Sequence, residues 1–399
     1  MAAFLKKVLV VGGVIGIGYL LGMFLVPVLT RILPADSIAN IAVFDSQMLL
    51  VMSLLGFGLT VTTTRDVSLA DVWVPIVTGV TSARLTLSLF VTVIGIIGLV
   101  INGDIYRWLP FLFAPVIALN VDFILYGRGR PVAAAVASFL RQSLPIVIFL
   151  LIIIVSSISE VVYALLSLGF LLLSGFYVST TLGVRYLPVI NLRDIQRYMN
   201  VLGVGVSSFV IGFQRIGFLG VVSGMLTNVE STMIYGILKV YLAFVAIRRL
   251  FIQTFYSRLN EKIIVNLSSC IILCVAVFVF IGCAFYTELI AGFMYGDITN
   301  DISHVYILLL GFLILSGSLF PCSDAILLRM KGDKAFIYVS TIAFSAFVLI
   351  SSFLYIFSEH GASSFLVGLI VSELVLALGY KIAGYLINKY SVLSAIEVE

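Results

Sequence analysis

The sequence predicts an all-α, polytopic membrane protein with about twelve transmembrane helices, arranged as two six-helix bundles. Three observations predict it: an extreme apolar composition, twelve apolar runs of spanning length, and a one-sided distribution of lysine and arginine. Of 399 residues 62% are hydrophobic and 11% charged, with a mean hydropathy of +1.22. A soluble domain carries roughly 25% charged residues, so a soluble fold is excluded.

A helix needs about 20 apolar residues to cross a hydrocarbon core of about 30 Å. Runs of that kind fall at approximately 8–30, 41–63, 85–101, 108–126, 132–155, 160–183, 199–222, 232–255, 263–287, 303–323, 335–357 and 362–387. The first follows Lys6 and Lys7 like a signal sequence, but it is too long and no small-x-small site ends it, so it reads as a retained span. No intervening loop is long enough to fold as a domain. Cys270, Cys274, Cys283 and Cys322 all lie in spans without a C-x-x-C pair, and packing rather than metal or redox chemistry accounts for them. No cofactor and no metal site is expected.

Positive loops stay cytoplasmic. With the N-terminus inside, eighteen of the 23 Lys and Arg residues fall at inner loops or helix ends, Arg84 among them, and only Arg31 and Arg107 fall outside. Both termini are therefore expected in the cytoplasm.

The chain also repeats itself. "VDFILYGRGRPVAAAVAS" leads from span 4 into span 5, and "SDAILLRMKGDKAFIYVS" from span 10 into span 11. "ADSIANIAVFDSQMLLV" opens span 2 as "NVESTMIYGILKVYLAF" opens span 8, a register that matches Ile41 with Tyr235 and Asp45 with Lys239. These pairs suggest two six-helix halves, 1–190 and 191–399. Six crossings preserve orientation, so the halves would be related by a pseudo-two-fold axis along the membrane normal, an arrangement that frames a central cavity in several transporter folds.

Three cations remain deep in spans: Arg141, Arg215 and Lys239. At 1.5 Å per residue, Arg141 lies roughly 13 Å from the cytoplasmic end of its span and Lys239 roughly 10 Å from the outer end. Each costs about 2.5–3.5 kcal/mol on insertion scales, a cost met by a wet cavity, by acidic partners or, for Arg215, by snorkelling outward. Four acids share the spans: Asp45, Asp122, Asp324 and Glu373. Asp122 and Asp324 precede basic loops, so a structural bridge to Arg128 or Lys331 stands beside a role as an ion-coupling or gate group. Lys239 is a candidate to neutralise Asp45. Glu373, midway along span 12, is a candidate for protonation, because burial disfavours the charged carboxylate. Surplus buried cations suit an anionic partner, and the arginine fork suits phosphate.

"YLLGMFLVPVLTRILPADSIANIAVFDSQMLLVMSLLGFGLTVTTTRDVS" resembles the opening of a Wzx-type polysaccharide flippase of the multidrug/oligosaccharidyl-lipid/polysaccharide exporter superfamily. The family's Pro…Leu-Thr-Arg ending of helix 1 is matched by Pro27, Thr30 and Arg31, and its acidic start of helix 2 by Asp36. Gly127, Arg128, Gly129 and Arg130 match its basic loop after helix 4. "FQRIGFLGVVSGMLTNVESTMIYGILKVYLAF" is similar to its helix 7–8 segment, with Arg215, Tyr235 and Lys239 at the basic, Tyr and Lys positions; Gln214 stands where an Asp is often found, and Ala39 and Met233 where Gly is usual.

The resemblance implies a flippase of the bacterial inner membrane. It would pass undecaprenyl-diphosphate-linked oligosaccharide, an O-antigen or related repeat unit, by ion-coupled alternating access, with Arg31, Arg141, Arg215 and Lys239 as substrate-binding candidates. Membrane lipid and a polymerase of the same pathway are its expected partners, and nucleic acid is not. The nearest alternative is another exporter of the superfamily, a drug antiporter, although residues 8–30 hold no acid for cation binding. A polysaccharide polymerase or ligase is a further alternative. It would need a large outer loop with catalytic residues; the longest here is 288–302, and His304 and His360 offer little for general-base chemistry, so no enzyme is expected.

Overall fold

The computed structural model describes residues 2–155, 160–187, 190–254, 262–296, 301–329, 332–357 and 361–396, and the regular structure among them is helical. Nine of these helices are long and apolar enough to cross a membrane, and a bent pair, Ile105–Leu112 with Ala114–Gly127, makes a tenth. The shorter apolar helices Gly16–Ile32 and His304–Ser316 stand at the two remaining predicted positions. Each of the twelve apolar runs thus has its helix, in the predicted order.

Contacts divide the chain into two compact units, Met1–Tyr235 and Gly236–Glu399. The first contains α1 (Ala2–Ile32), α2 (Ala35–Gly56), α3 (Leu59–Leu69), α4 (Val74–Asn102), α5 (Ile105–Leu112), α6 (Ala114–Ala118), α7 (Phe123–Gly127), α8 (Pro131–Gln142), α9 (Leu144–Val155) and α10 (Val161–Leu182). It continues through α11 (Gln196–Asn200), α12 (Leu202–Gly212), a π turn (Phe213–Gly217) and α13 (Phe218–Val222) into the first turns of α14 (Asn228–Thr254). The boundary falls inside α14 because three bonds tie its start to α2: Asn228 Nδ2 to Asp36 Oδ1 at 2.6 Å, Thr232 Oγ1 to the Ala35 carbonyl at 3.4 Å, and Tyr235 to Asp45 at 2.5 Å. The six-helix repeat concerns order along the chain, which such contacts do not address.

Helix α2 forms the core of this unit, with every residue from Ile41 to Met48 buried. Small residues let α12 and α13 approach it. Side chains grafted onto Gly212, Gly217 and Gly220 would meet Ser53, Leu50 and Gln47 in turn, the falling register of an antiparallel pair. The turn after α2 needs glycine for another reason: Gly58 has φ +77°, and a Cβ there would lie 2.7 Å from the Gly205 nitrogen. Burial reads the opposite way on α4, where Leu89, Phe90, Val93, Ile94 and Ile97 are exposed. In a spanning helix whose backbone bonds are all internal, such a face suits lipid.

The second unit holds the rest of α14, α15 (Lys262–Phe285), α16 (Thr287–Tyr295), α17 (Asp301–Ser316), α18 (Ser323–Arg329), α19 (Asp333–Phe357) and α20 (Gly361–Ile396). Helices α19 and α20 pair antiparallel along their length. Phe336 stacks on Tyr380 at 5.0 Å, Gly368 sits over Ser351, and Tyr355 meets Phe365 at 5.6 Å. Cys283 and Cys322 are buried and Cys270 and Cys274 exposed, all as free thiols.

Span 4 and span 10 are both broken. In the first unit, Pro110 and Pro115 divide α5 from α6 with a bend of 50°, and residues 119–122 separate α6 from α7. In the second, α17 stops at Ser316, and residues 317–322, including Pro321, separate it from α18. The resumed helix starts beside the repeated acid each time, Asp122 before α7 and Asp324 in the first turn of α18. A broken span leaves carbonyls that hydrocarbon cannot satisfy. An arginine fills the need in each unit: Arg84 donates to the carbonyls of Asn120 at 2.8 Å and Ile117 at 3.3 Å, and Arg248 donates to that of Gly317.

Candidate functional site

Asp45 is the acid most completely enclosed within the first unit. It lies in the middle of buried α2 and is 8% exposed. Tyr163 of α10 donates its hydroxyl to both carboxylate oxygens, at 3.0 and 3.1 Å, and Tyr235 of α14 donates to Oδ2 at 2.5 Å. The Tyr163 ring is fixed between Phe44 and Phe149, with centroids 6.1 and 5.2 Å away. Sequence pattern marks Asp45 and Tyr235 and nominates Lys239, which stands in the second unit, as a counter-charge; within the first unit two phenols donate to Asp45. A phenolic hydroxyl can donate or accept, so this cage can hold Asp45 with or without a proton. Tyr163 carries only a faint sequence signal, a tyrosine in an otherwise aliphatic and small-residue stretch of span 6.

A second buried group surrounds the break after α6. Arg141 Nη1 pairs with Asp122 Oδ2 at 3.1 Å and reaches Asn120 Oδ1 at 3.5 Å. Asn120 Nδ2 donates to Ser174 at 3.2 Å, and Ser174 donates to the Ala137 carbonyl at 2.9 Å. Arg84, only 4% exposed, lies beside the Phe123 ring at 5.5 Å, and the charges of Asp122 and Arg141 act on it. Two sequence expectations change here. Asp122 takes Arg141 as its partner, while Arg128 stacks over Trp73 at 4.9 Å. Arg84 is no flank of its span: α4 begins at Val74, which puts Arg84 about 15 Å inside the helix.

No family model matches the chain, and no curated protein does. Solved structures do. The inward-facing conformation of a multidrug resistance MATE family transporter of the MOP superfamily matches with a TM-score of 0.65 and 15% identity, over 94% of this chain and 95% of that one. The eukaryotic MATE transporter AtDTX14 matches at 0.59 and 14% identity, over 96% and 95%. MATE in complex with MaL6 matches at 0.61 and 16% identity, over 96% of both chains. The chain has the MATE transporter fold.

On this MATE fold the other expected site residues stand on separate elements. Arg31 is exposed at the end of α1, where its guanidinium donates to the Pro27 carbonyl of its own helix. Arg215 is half-buried on the π turn, a feature often found at functional positions. Its neighbour Gln214 is wholly buried, with neither side-chain polar atom hydrogen-bonded among the described residues. In the second unit Lys239 is half-buried, Glu373 is 2% exposed on α20, and Asp324 Oδ1 accepts the Ala325 N–H at 2.8 Å. Lys331 lies outside the described residues, so the expected Asp324–Lys331 bridge does too.

Just before α10, Glu160 gathers the ends of three helices. Its carboxylate accepts Asn40 Nδ2 at 2.9 Å and the Tyr106 hydroxyl at 3.1 Å. Burial alone would push its carboxyl up, but the bonds from Asn40, its own backbone, Tyr106 and Ser37 outweigh that and hold it below the ordinary value of 4.5. A lowered acid adds stability above its unfolded value, and this stability is lost as pH falls through the folded value. The detergent-solubilised protein should therefore lose thermal stability on acidification below about pH 4.5. Glu160→Gln should flatten that part of the curve, and an unchanged acid limb would show that the cluster does not hold the helix ends.

Proposed function

We propose that the chain is an ion-coupled exporter working by alternating access, with Asp45 as a coupling carboxylate. The observation that carries this reading is the cage itself: a buried acid in the core helix, held by hydroxyls that suit both of its protonation states. Multidrug antiport is the favoured form. It is supported by the names of the matching structures and by Asp122, which balances Arg141 and so weakens the charge argument against cationic substrates. Asp45 supplies, one helix later, the acid missing from span 1.

Flipping of undecaprenyl-diphosphate-linked oligosaccharide is the second reading. The resemblance in spans 1–2 and 7–8 supports it, as do the half-buried Arg215 and Lys239, whose charge suits a pyrophosphate. In that case the chain would work in the bacterial inner membrane with both termini cytoplasmic, delivering repeat units to a polymerase. Both readings are compatible with a duplicated six-helix design, which the matching breaks in spans 4 and 10 favour.

Purified full-length protein in liposomes separates the two. The antiport reading expects an imposed pH gradient to drive ethidium against its concentration gradient. If ethidium stays put while a fluorescent undecaprenyl-diphosphate oligosaccharide changes leaflet, the flippase reading replaces it; charge reversal at Arg215 and Lys239 should then stop the lipid-linked substrate.

A further inference from the structure

We infer that the chain between α10 and α12 is an interfacial element that binds the headgroups of anionic phospholipids through Arg185 and Arg193. Its described parts are residues 183–187 and 190–201, which include α11. Past the end of α10 at Leu182 the chain folds back along that helix. The Val184 N–H donates to the Ser179 carbonyl at 3.1 Å, the Tyr186 ring lies 6.0 Å from that of Phe176, and the Tyr186 hydroxyl donates to the Leu172 carbonyl at 3.3 Å. Leu172 stands about 15 Å short of the helix end. The other flank docks on α4: the Asn191 N–H donates to Ser82 Oγ at 3.0 Å, and the Arg197 guanidinium lies over Gly79. Helix α4 has 29 residues and is about 43 Å long, about 13 Å more than a hydrocarbon core of about 30 Å. Its exposed apolar residues run on to Val100 and Ile101 at the far end, so the surplus lies at the Val74 end. Ser82 is about 12 Å from Val74. Asn191 therefore meets α4 where hydrocarbon gives way to headgroups.

The surface of the segment fits that level. Leu187 and Leu192 are 66% and 68% exposed, Ile190 and Met199 are exposed as well, and Arg185 and Arg193 stand exposed among them. Large apolar side chains interleaved with arginine are costly in water and favourable at a headgroup boundary. Irregular backbone cannot enter hydrocarbon, where its polar groups would go unbonded, so the segment stays at the surface. Arg197 is paired with Asp194 at 3.6 Å and the Tyr198 hydroxyl donates to the Leu55 carbonyl at 2.7 Å, whereas neither Arg185 nor Arg193 has an acid partner among the described residues. Nearby, Arg128 stacks over Trp73 and Arg130 donates to the Thr181 carbonyl. Among the described side chains at this end, these five arginines face three acids, Asp66, Asp71 and Asp194. The arginine fork can donate two hydrogen bonds to one phosphate, and the exposed Leu173 and Phe176 of α10 offer the adjoining acyl chains an apolar wall. A soluble phosphate would use only the charge; a phospholipid uses both halves of this surface. The inference concerns the lipid around the protein and holds for either transported substrate.

Tryptophan quenching in bilayers containing the full-length protein tests it. The chain has two tryptophans, so Leu192→Trp combined with Trp73→Phe and Trp108→Phe leaves one emitter beside Arg193. Phosphatidylglycerol brominated on its acyl chains is expected to quench it at a lower mole fraction than brominated phosphatidylcholine does. A cation near an anionic surface is worth roughly a factor of five in binding. Arg185→Gln or Arg193→Gln should cut the preference by about that factor, the double variant should abolish it, and high salt should weaken it. Equal quenching by the two lipids, or a preference that survives the double variant, would overturn the headgroup site. Quenching by aqueous acrylamide with none from either lipid would overturn the interfacial placement and make this a surface for a protein partner. Should Leu192→Trp fail to fold, Met199→Trp, also at an exposed position, must show the same preference, and its absence counts against the proposal.

Discussion

Asp45→Asn is expected to abolish proton-driven ethidium transport in liposomes, while the protein still folds and inserts. Asparagine keeps the size of the side chain and an acceptor for the tyrosines, but it cannot exchange a proton. Tyr163→Phe and Tyr235→Phe act less severely, since each leaves the acid in place and removes part of its support. A hydrogen bond to a charged group is worth about 1.5–3 kcal/mol, which corresponds to roughly a tenfold to hundredfold change in an equilibrium it biases. Each phenylalanine variant should therefore retain measurable transport with an altered pH profile, and the double variant should fall further. Tyr235 should matter more, because its bond is the shorter and it is the one that ties α14 to α2. Wild-type rates in Asp45→Asn would remove the carboxylate from the mechanism.

How far this site could be read from sequence depends on the kind of information each residue carries. Twelve spans are legible because hydrocarbon thickness fixes a minimum run length, and Asp45 is legible because a carboxylate inside such a run is costly. Its cage is not. Tyr163 and Tyr235 stand 118 and 190 residues away, and nothing local to α2 names them. Asp122 and Arg141 are both visible as in-span charges, yet their pairing across a broken helix needs the fold; the nearby Arg128 is the obvious partner on paper and packs instead on Trp73. Arg84 misleads because hydropathy rises steeply just after it, which sets the start of the apolar run at residue 85. The helix begins at Val74, with Pro75 in its first turn and a stretch of Thr, Ser and Gly that lowers hydropathy without ending the helix. The π turn at Phe213–Gly217 leaves no signature in the pattern of residues.

That misreading sets up the largest expected effect on stability, Arg84→Met. Methionine replaces much of the apolar stem and can pack against Phe123, but it leaves the Asn120 carbonyl without its donor and removes one of two donors to the Ile117 carbonyl, the Asn120 N–H at 3.2 Å remaining. A buried unsatisfied polar group costs about 1–3 kcal/mol, so the stranded Asn120 carbonyl together with the lost second bond to Ile117 should lower stability by about 2–4 kcal/mol, a large share of what a folded protein has to lose. The loss should appear as a marked fall in unfolding temperature in detergent and in yield. Arg84→Lys should recover only part of it, because a compact ammonium cannot reproduce the planar fork that spans both carbonyls. The same reasoning applies to Arg248→Met in the second unit, where the bond to the Gly317 carbonyl is lost, against two bonds lost in Arg84→Met, so the fall should be smaller. A double-mutant cycle separates backbone capping from charge balance. If Arg84 serves mainly to offset Asp122, adding Asp122→Asn to Arg84→Met should restore stability; if it serves the broken span, the double variant should stay as weak as the single one or become weaker, since Arg141 then loses its carboxylate as well. The geometry favours the second outcome, because the guanidinium hydrogen-bonds reach the backbone on both sides of the break's first residue, while the carboxylate of Asp122 is committed to Arg141.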